Sequence, residues 1–293
     1  MGAMTPVKAA NHISKILDAI CKAHGDARFP VDVERLALGC GEIFQWDDRI
    51  IQVQSAAIKG FEGCLFKGEK GWLLLYNEAL TSRGRVRFTQ AHELGHYVLH
   101  RTLQDEFRCT AENMLEWAAR YGKLESEADQ FASYILMPLN DFRAQLQCAT
   151  DIDLEVLGDL AERYGVSLTS AILKWLEFTD RQAVLILSTD GFMNWSVSSE
   201  PAFKAGAFFK TRSGPPVPVS AYSLAANESA FIERQGIEIP ARTWFRHANE
   251  GDLVREMKIS SDQYGNVLTL LSLPKNMNAW PSRVAEESSN GSA

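Results

Sequence analysis

His92 and His96 stand four residues apart with Glu93 directly after the first, in the run Phe88-Thr89-Gln90-Ala91-His92-Glu93-Leu94-Gly95-His96. On a helix that spacing puts both imidazoles on one face, one turn apart. Two ring nitrogens can then reach a single ion at about 2.0–2.1 Å each, while the Glu93 carboxylate projects toward an open coordination position. An ion with an open position and a carboxylate base beside it are the parts of a metal-dependent peptidase centre.

The surrounding residues support a helix. Val86, Phe88 and Ala91 precede the pair, Val98 and Leu99 follow it, and Thr81 or Ser82 can cap the start. Gly95 costs about 1 kcal/mol inside a helix relative to Ala, so its presence points to a close approach by another backbone or by the ion. His100, one turn beyond His96, reads as a surplus histidine on the helix surface.

A catalytic ion of this kind usually takes a third protein ligand. Downstream, residues 125–136 combine good helix formers and end before Pro138. Glu125 and Asp129 share a face of that segment with Ala128 and Ala132. Small residues there would let the second helix lie close against the first, with Glu125 at the ion and Asp129 beside a ligand histidine, where a carboxylate commonly accepts the other ring N–H. Glu127 is expected to face solvent.

These paired motifs, together with Ile135-Leu136-Met137-Pro138 and the opening Phe29-Pro30-Val31-Asp32-Val33-Glu34-Arg35-Leu36-Ala37, resemble the ImmA/IrrE family of metallopeptidases over about residues 8–178. The resemblance implies a zincin-like core with helix-turn-helix-like helices. It also implies cleavage of a DNA-binding repressor in a stress response or mobile-element switch. His92, His96 and Glu125 would be the metal ligands and Glu93 the catalytic base. Many relatives carry Asn where this chain has Asp129, a change that preserves a hydrogen-bond acceptor.

Composition agrees. The 293 residues are 46% hydrophobic and 23% charged, enough for one substantial core and a smaller domain. A net charge of −7 argues against broad nucleic-acid affinity, which needs a basic face. Cys21, Cys40, Cys64, Cys109 and Cys148 show no Cys-x-x-Cys spacing and read as free thiols of a reducing compartment. No apolar run approaches the ~20 residues needed to span a bilayer, and the N-terminus lacks a basic-then-apolar signal pattern. A cytoplasmic protein without membrane contact is the expectation.

Along the chain, residues 7–23 carry an apolar stripe at helical spacing, with Ile13, Ile16, Leu17 and Ile20. Residues 42–46 read as a strand, and 64–66 with 72–76 as a hairpin around a turn-like 67–71. The second hairpin strand, 72–77, leads toward the His-Glu-x-x-His helix and is expected to bind substrate by strand addition, with an interior strand as the alternative. Residues 154–178 have the grammar of a helix-turn-helix. Its second helix offers Ser167, Leu168, Thr169 and Ser170 at the front and only Lys174 as a cation, a poor set for reading bases. Arg83, Arg85 and Arg87 make a small basic cluster. Beyond Thr179, strands are expected at 183–187, 192–197, 237–245, 254–259 and 267–273, the first two joined by an Asp190-Gly191 turn. Trp195 and Trp244 would either line a ligand pocket or pack in the core, the commoner fate of tryptophan.

The chain therefore reads as α+β. Residues 5–150 form a zincin-like metallopeptidase domain of a small sheet plus active-site helices, and 151–178 a helix-turn-helix-like segment. An antiparallel α+β, sensor-like domain spans 179–280, and a disordered polar tail 281–293. The activity expected is that of a metallo-endopeptidase using Zn2+, with Mn2+ or another divalent ion also accepted by such donors. Its partner would be a protein substrate such as a helix-turn-helix repressor. A metal-binding regulator without turnover and a DNA-binding protein are the competing classes.

Overall fold

The computed structural model describes residues 4–57, 59–80, 82–110, 118–147, 149–212, 214–261 and 265–281. The tail expected at 281–293 lies outside them from residue 282 onward. Two compact units divide the chain, one comprising 1–149 with 159–170 and the other 150–158 with 171–293. Among the described residues there are eight α-helices and two sheets, the α+β class expected.

In the first unit, α1 (Pro6–His24) starts at Thr5, whose hydroxyl accepts from the Lys8 N–H, with Pro6 at the first helical position. Its apolar stripe buries Ala9, Ala10 and Ile13. Asp32 caps α2 (Val33–Phe44) by accepting from the Arg35 N–H at 3.0 Å. Residues 42–46, expected as a strand, instead close this helix. A capped run of helix formers propagates to Phe44, Gln45 turns left-handed at φ 57°, and Phe44 stacks on Trp46 with centroids 4.4 Å apart.

Strands β1 (Ile50–Ala56), β2 (Phe61–Lys67), β3 (Trp72–Asn77) and β4 (Glu106–Thr110) form a sheet in the order β1-β3-β2-β4. The expected hairpin is β2 with β3, antiparallel, and β1 adds parallel to β3. That placement corrects the reading of residues 72–77 as a peptide-binding edge. β3 is hydrogen-bonded on both sides and has no free edge to offer; β1 and β4 are the edges.

Against this sheet lies α3 (Arg83–His100), with Leu94 and Tyr97 fully buried. Ser82 occupies its N-cap position without a side-chain bond, and Thr81 lies outside the described residues. Next comes α4 (Ala118–Leu136), which stops before Pro138, itself the cap residue of α5 (Leu139–Leu146). A Cβ on Gly95 would meet the Ala128 Cα and carbonyl oxygen at 3.1 Å, so the two helices touch backbone to backbone there. This is the close approach that a glycine inside a helix implied.

The pair α6 (Leu154–Tyr164) and α7 (Leu168–Phe178) carries the helix-turn-helix pattern, with Gly165 left-handed at φ 61° between them. The boundary between the units falls within both helices. Lys174 is 2% exposed, and its ammonium donates to Glu177 at 3.0 Å, so it is not available to phosphate. Of the basic cluster, Arg85 pairs with Glu62 and Arg87 donates to the Gly165 carbonyl.

In the second unit, β5 (Gln182–Thr189), β6 (Phe192–Ser198), β7 (Val217–Pro218), β8 (Ile232–Pro240), β9 (Leu253–Ser261) and β10 (Asn266–Leu273) form one antiparallel sheet in the order β7-β6-β5-β10-β9-β8. Helix α8 (Glu200–Lys204) follows β6. Asp190 and Gly191, at φ 52° and 77°, make the expected hairpin turn. The strand expected at 237–245 begins earlier and stops at Pro240, where a residue without an N–H ends the ladder and a 3-10 turn, Ala241–Thr243, takes over. Trp244 is a core residue, and its indole N–H donates to Glu256 at 2.9 Å.

Two outcomes follow. Ala128→Leu forces side-chain volume into the α3–α4 contact and should cost about 1–3 kcal/mol in chemical denaturation. Glu256 also accepts from the Ala225 N–H at 2.7 Å, and burial raises its pKa above the usual carboxylate value. The folded state then holds that proton more tightly than the unfolded chain. Its contribution is full below the unfolded value and is lost as pH rises through the folded one. Urea midpoints followed by tryptophan fluorescence should fall across that acid window, and Glu256→Gln should flatten the slope.

Candidate metal centre

Because α3 and α4 meet at Gly95 and Ala128, the residues around that contact face each other across a short gap. His92 and His96 project from α3, one turn apart, and their Nε2 atoms are 3.0 Å apart. From α4, Glu125 brings Oε2 to 3.2 Å from His92 Nε2 and Oε1 to 3.2 Å from His96 Nε2. Donor atoms of the three residues all lie within 4.8 Å of one another.

What holds the rings in place decides which nitrogen is free. Asp129 Oδ1 lies 2.8 Å from His92 Nδ1, so that nitrogen carries the proton and Nε2 presents a lone pair. A second chain does the same for His96. Glu127 Oε2 sits 3.0 Å from His100 Nε2, which therefore donates; His100 Nδ1 is left to accept from His96 Nδ1 at 3.1 Å. His96 Nε2 is thereby also a lone pair. Two lone-pair nitrogens and a carboxylate oxygen converging at about 3 Å repel one another unless a proton or a metal cation lies among them, and this donor set fits a divalent ion.

Charge states follow the same logic. Burial opposes a charge on His92, but hydrogen bonds to Asp129 and Glu125 outweigh it and hold its pKa well above the usual imidazole range, so without a metal Nε2 also carries a proton, the one a cation among these donors would displace. His96 is wholly buried, and burial pushes it down to about 4 against the pull of Glu125. Burial likewise lowers His100 despite Glu127. Glu125 resists its own burial through His92 and His96, falling to about 2. The pocket thus holds carboxylates in excess and attracts positive charge.

Phe107 of β4 stacks on the His96 ring, centroids 4.7 Å apart and planes 18° from parallel. Glu93 is wholly buried under β2, where a Cβ on Gly63 would stand 2.5 Å from Glu93 Oε1.

All five residues singled out by motif, His92, Glu93, His96, Glu125 and Asp129, fall at this one place. Two others were misread. His100, expected on the surface, is 2% exposed, and Glu127, expected in solvent, binds it. The signal for His100 was present in its four-residue spacing from His96; Glu127 required the partner helix.

An α+β fold with a His2Glu centre between a buried helix pair is that of a zincin-like metal-site domain. Residues 47–175 match the peptidase M78 family, the IrrE N-terminal-like domain. That match covers the segment carrying the centre and agrees with the resemblance to the ImmA/IrrE family of metallopeptidases that its motifs suggested. Among solved structures it is similar to a Mycobacterium tuberculosis transcriptional regulator, at 15% identity and a TM-score of 0.52, covering 92% of this chain and 82% of the other. At that identity the likeness concerns the fold. No curated protein matches the chain. No described helix is long and apolar enough to cross a membrane.

Removing the support of a ring should loosen the centre without emptying it of ligands. His100→Ala, which takes the acceptor from His96 Nδ1, should weaken binding of zinc or cobalt by about 10–100-fold in chelator competition, and Asp129→Ala should act similarly on His92.

Proposed function

We propose that this protein is a zinc-dependent metallo-endopeptidase of the cytoplasm, cutting a specific intracellular protein such as a DNA-binding repressor. The observation that carries this reading is the convergence of His92 Nε2, His96 Nε2 and Glu125, with the Glu93 carboxylate on the same helix. In it, His92, His96 and Glu125 are the ligands, and Asp129 orients His92 from behind. Zn2+, or Mn2+ or another divalent ion in the same donors, supplies a Lewis acid that acidifies water and withdraws charge from a carbonyl oxygen.

Glu93 takes the proton of the attacking water and delivers it to the leaving amine, one group acting as base and then as acid. Its burial beside Gly63 keeps bulk water from its carboxylate, and the Phe107 ring against His96 excludes water from the other flank. Support for a repressor substrate comes from the family, and from a fold shared with a protein described as a transcriptional regulator. The buried Lys174 counts against α7 as a DNA-reading helix.

A competing reading, a metal-holding regulator without turnover, draws on the complete burial of Glu93. Glu93→Gln separates the two. It should bind zinc as the parent does and lose about 10²–10⁴-fold in cleavage of a helix-turn-helix repressor substrate, read by mass spectrometry of the fragments. No fragments from the parent protein, or equal fragments from both, would sink the peptidase assignment.

A further inference from the structure

We propose that Gly63 is a positioning residue, the point on β2 that sets where the Glu93 carboxylate lies; this rests on the reading of Glu93 as the base. Gly63 sits inside the sheet, paired with Tyr76 of β3 and Cys109 of β4. Its φ is not in the left-handed region, so backbone conformation does not call for glycine there. Space does. A Cβ at this position would stand 2.5 Å from Glu93 Oε1, 3.0 Å from Glu93 Cγ and 2.6 Å from Thr89 Cγ2.

Real Cβ atoms do not approach that closely, so a methyl group on residue 63 must displace Glu93, Thr89 or the strand. The strand is the stiff member. It is hydrogen-bonded on both sides, and its start is tied to α3 by the Glu62–Arg85 ion pair, one turn before Thr89. The ladder to β4 shifts register between Phe61 and Gly63, a local irregularity of the kind that bends a strand. Glu93 is the softer member, because its carboxylate swings about side-chain torsions. The bare backbone of Gly63 thus acts as a ceiling over the carboxylate, with the Thr89 methyl as a side wall.

This differs from the roles of Asp129 and His100, which act on the ligand rings. The three atoms nearest a Cβ at Gly63 belong to Glu93 and Thr89 and not to a histidine, so a change there should separate proton transfer from metal binding. Gly63→Ala should keep zinc affinity within about threefold by chelator competition. Cleavage should lose about 10²-fold in kcat, the scale of an ångström-sized misplacement of a reacting group, with KM unchanged.

The decisive measurement does not need activity. Gly63→Ala should lower the melting temperature of the full chain by several degrees. In a Glu93→Ala, Thr89→Ser background, which removes all three clashing atoms, the same substitution should cost less than half as much. If Gly63→Ala alone fails to fold but folds in that background, the proposal is supported equally. Equal losses in both backgrounds would overturn it, as would an unchanged kcat in a cleaving enzyme. Coupled melting temperatures with no cleavage by the parent protein would refute the peptidase reading while leaving Gly63 as the residue that places Glu93.

Discussion

Backbone contact between α3 and α4 at Gly95 and Ala128 governs the geometry of the whole centre. Helices carrying ordinary side chains at a contact stay 8–10 Å apart. With a glycine facing an alanine they come closer, and only then can a carboxylate of ordinary length on α4 reach two imidazoles on α3 at 3.2 Å. The cost of a glycine within a helix, about 1 kcal/mol, is small against the burial of Leu94, Phe131 and Ile135 on the same two helices, each worth about 1.5–3 kcal/mol.

Once the helices are that close, burying so many polar groups requires each to have a partner. At the two ends the solution is alternation: Asp129 accepts from His92 Nδ1, and Glu127 accepts from His100 Nε2 while His100 Nδ1 accepts from His96 Nδ1, which leaves both Nε2 atoms facing Glu125 at the middle. Both ends of the chain are carboxylates on α4, and the rings between them are on α3. One helix therefore supplies the negative charge that orients the other's nitrogens. An apolar wall of Phe107 on one side lowers the local dielectric and strengthens each of these interactions.

Partnering of charges also explains why a helix-turn-helix pattern need not read DNA. α6 and α7 fill the segment where the pattern lay, with the left-handed Gly165 between them, but Lys174, the cation that the pattern offered, lies buried against Glu177. Arg85 and Arg87, which looked like a basic patch, are spent on Glu62 and on the Gly165 carbonyl. Charges counted along a chain become a surface property only when their partners are known.

Local rules sufficed for a large part of this protein. Helix periodicity, the Pro138 stop, the β2–β3 hairpin, the Asp190-Gly191 turn and most strands of the second sheet follow from spacing and residue type, because they depend on near neighbours, while the pairing of Glu125 and Asp129 with His92, 33 and 37 residues away, was legible through the paired motifs. Residues 42–46 show the limit, since apolar alternation of strand type lost to a helix already capped at Asp32 and running into them. Tertiary structure alone decided the rest: that β3 is interior, that His100 and Glu127 join the centre, and that Gly63 roofs Glu93. Each of those depends on a partner 21 to 30 residues away in sequence, and sequence spacing carries little information about distance between elements until packing sets it.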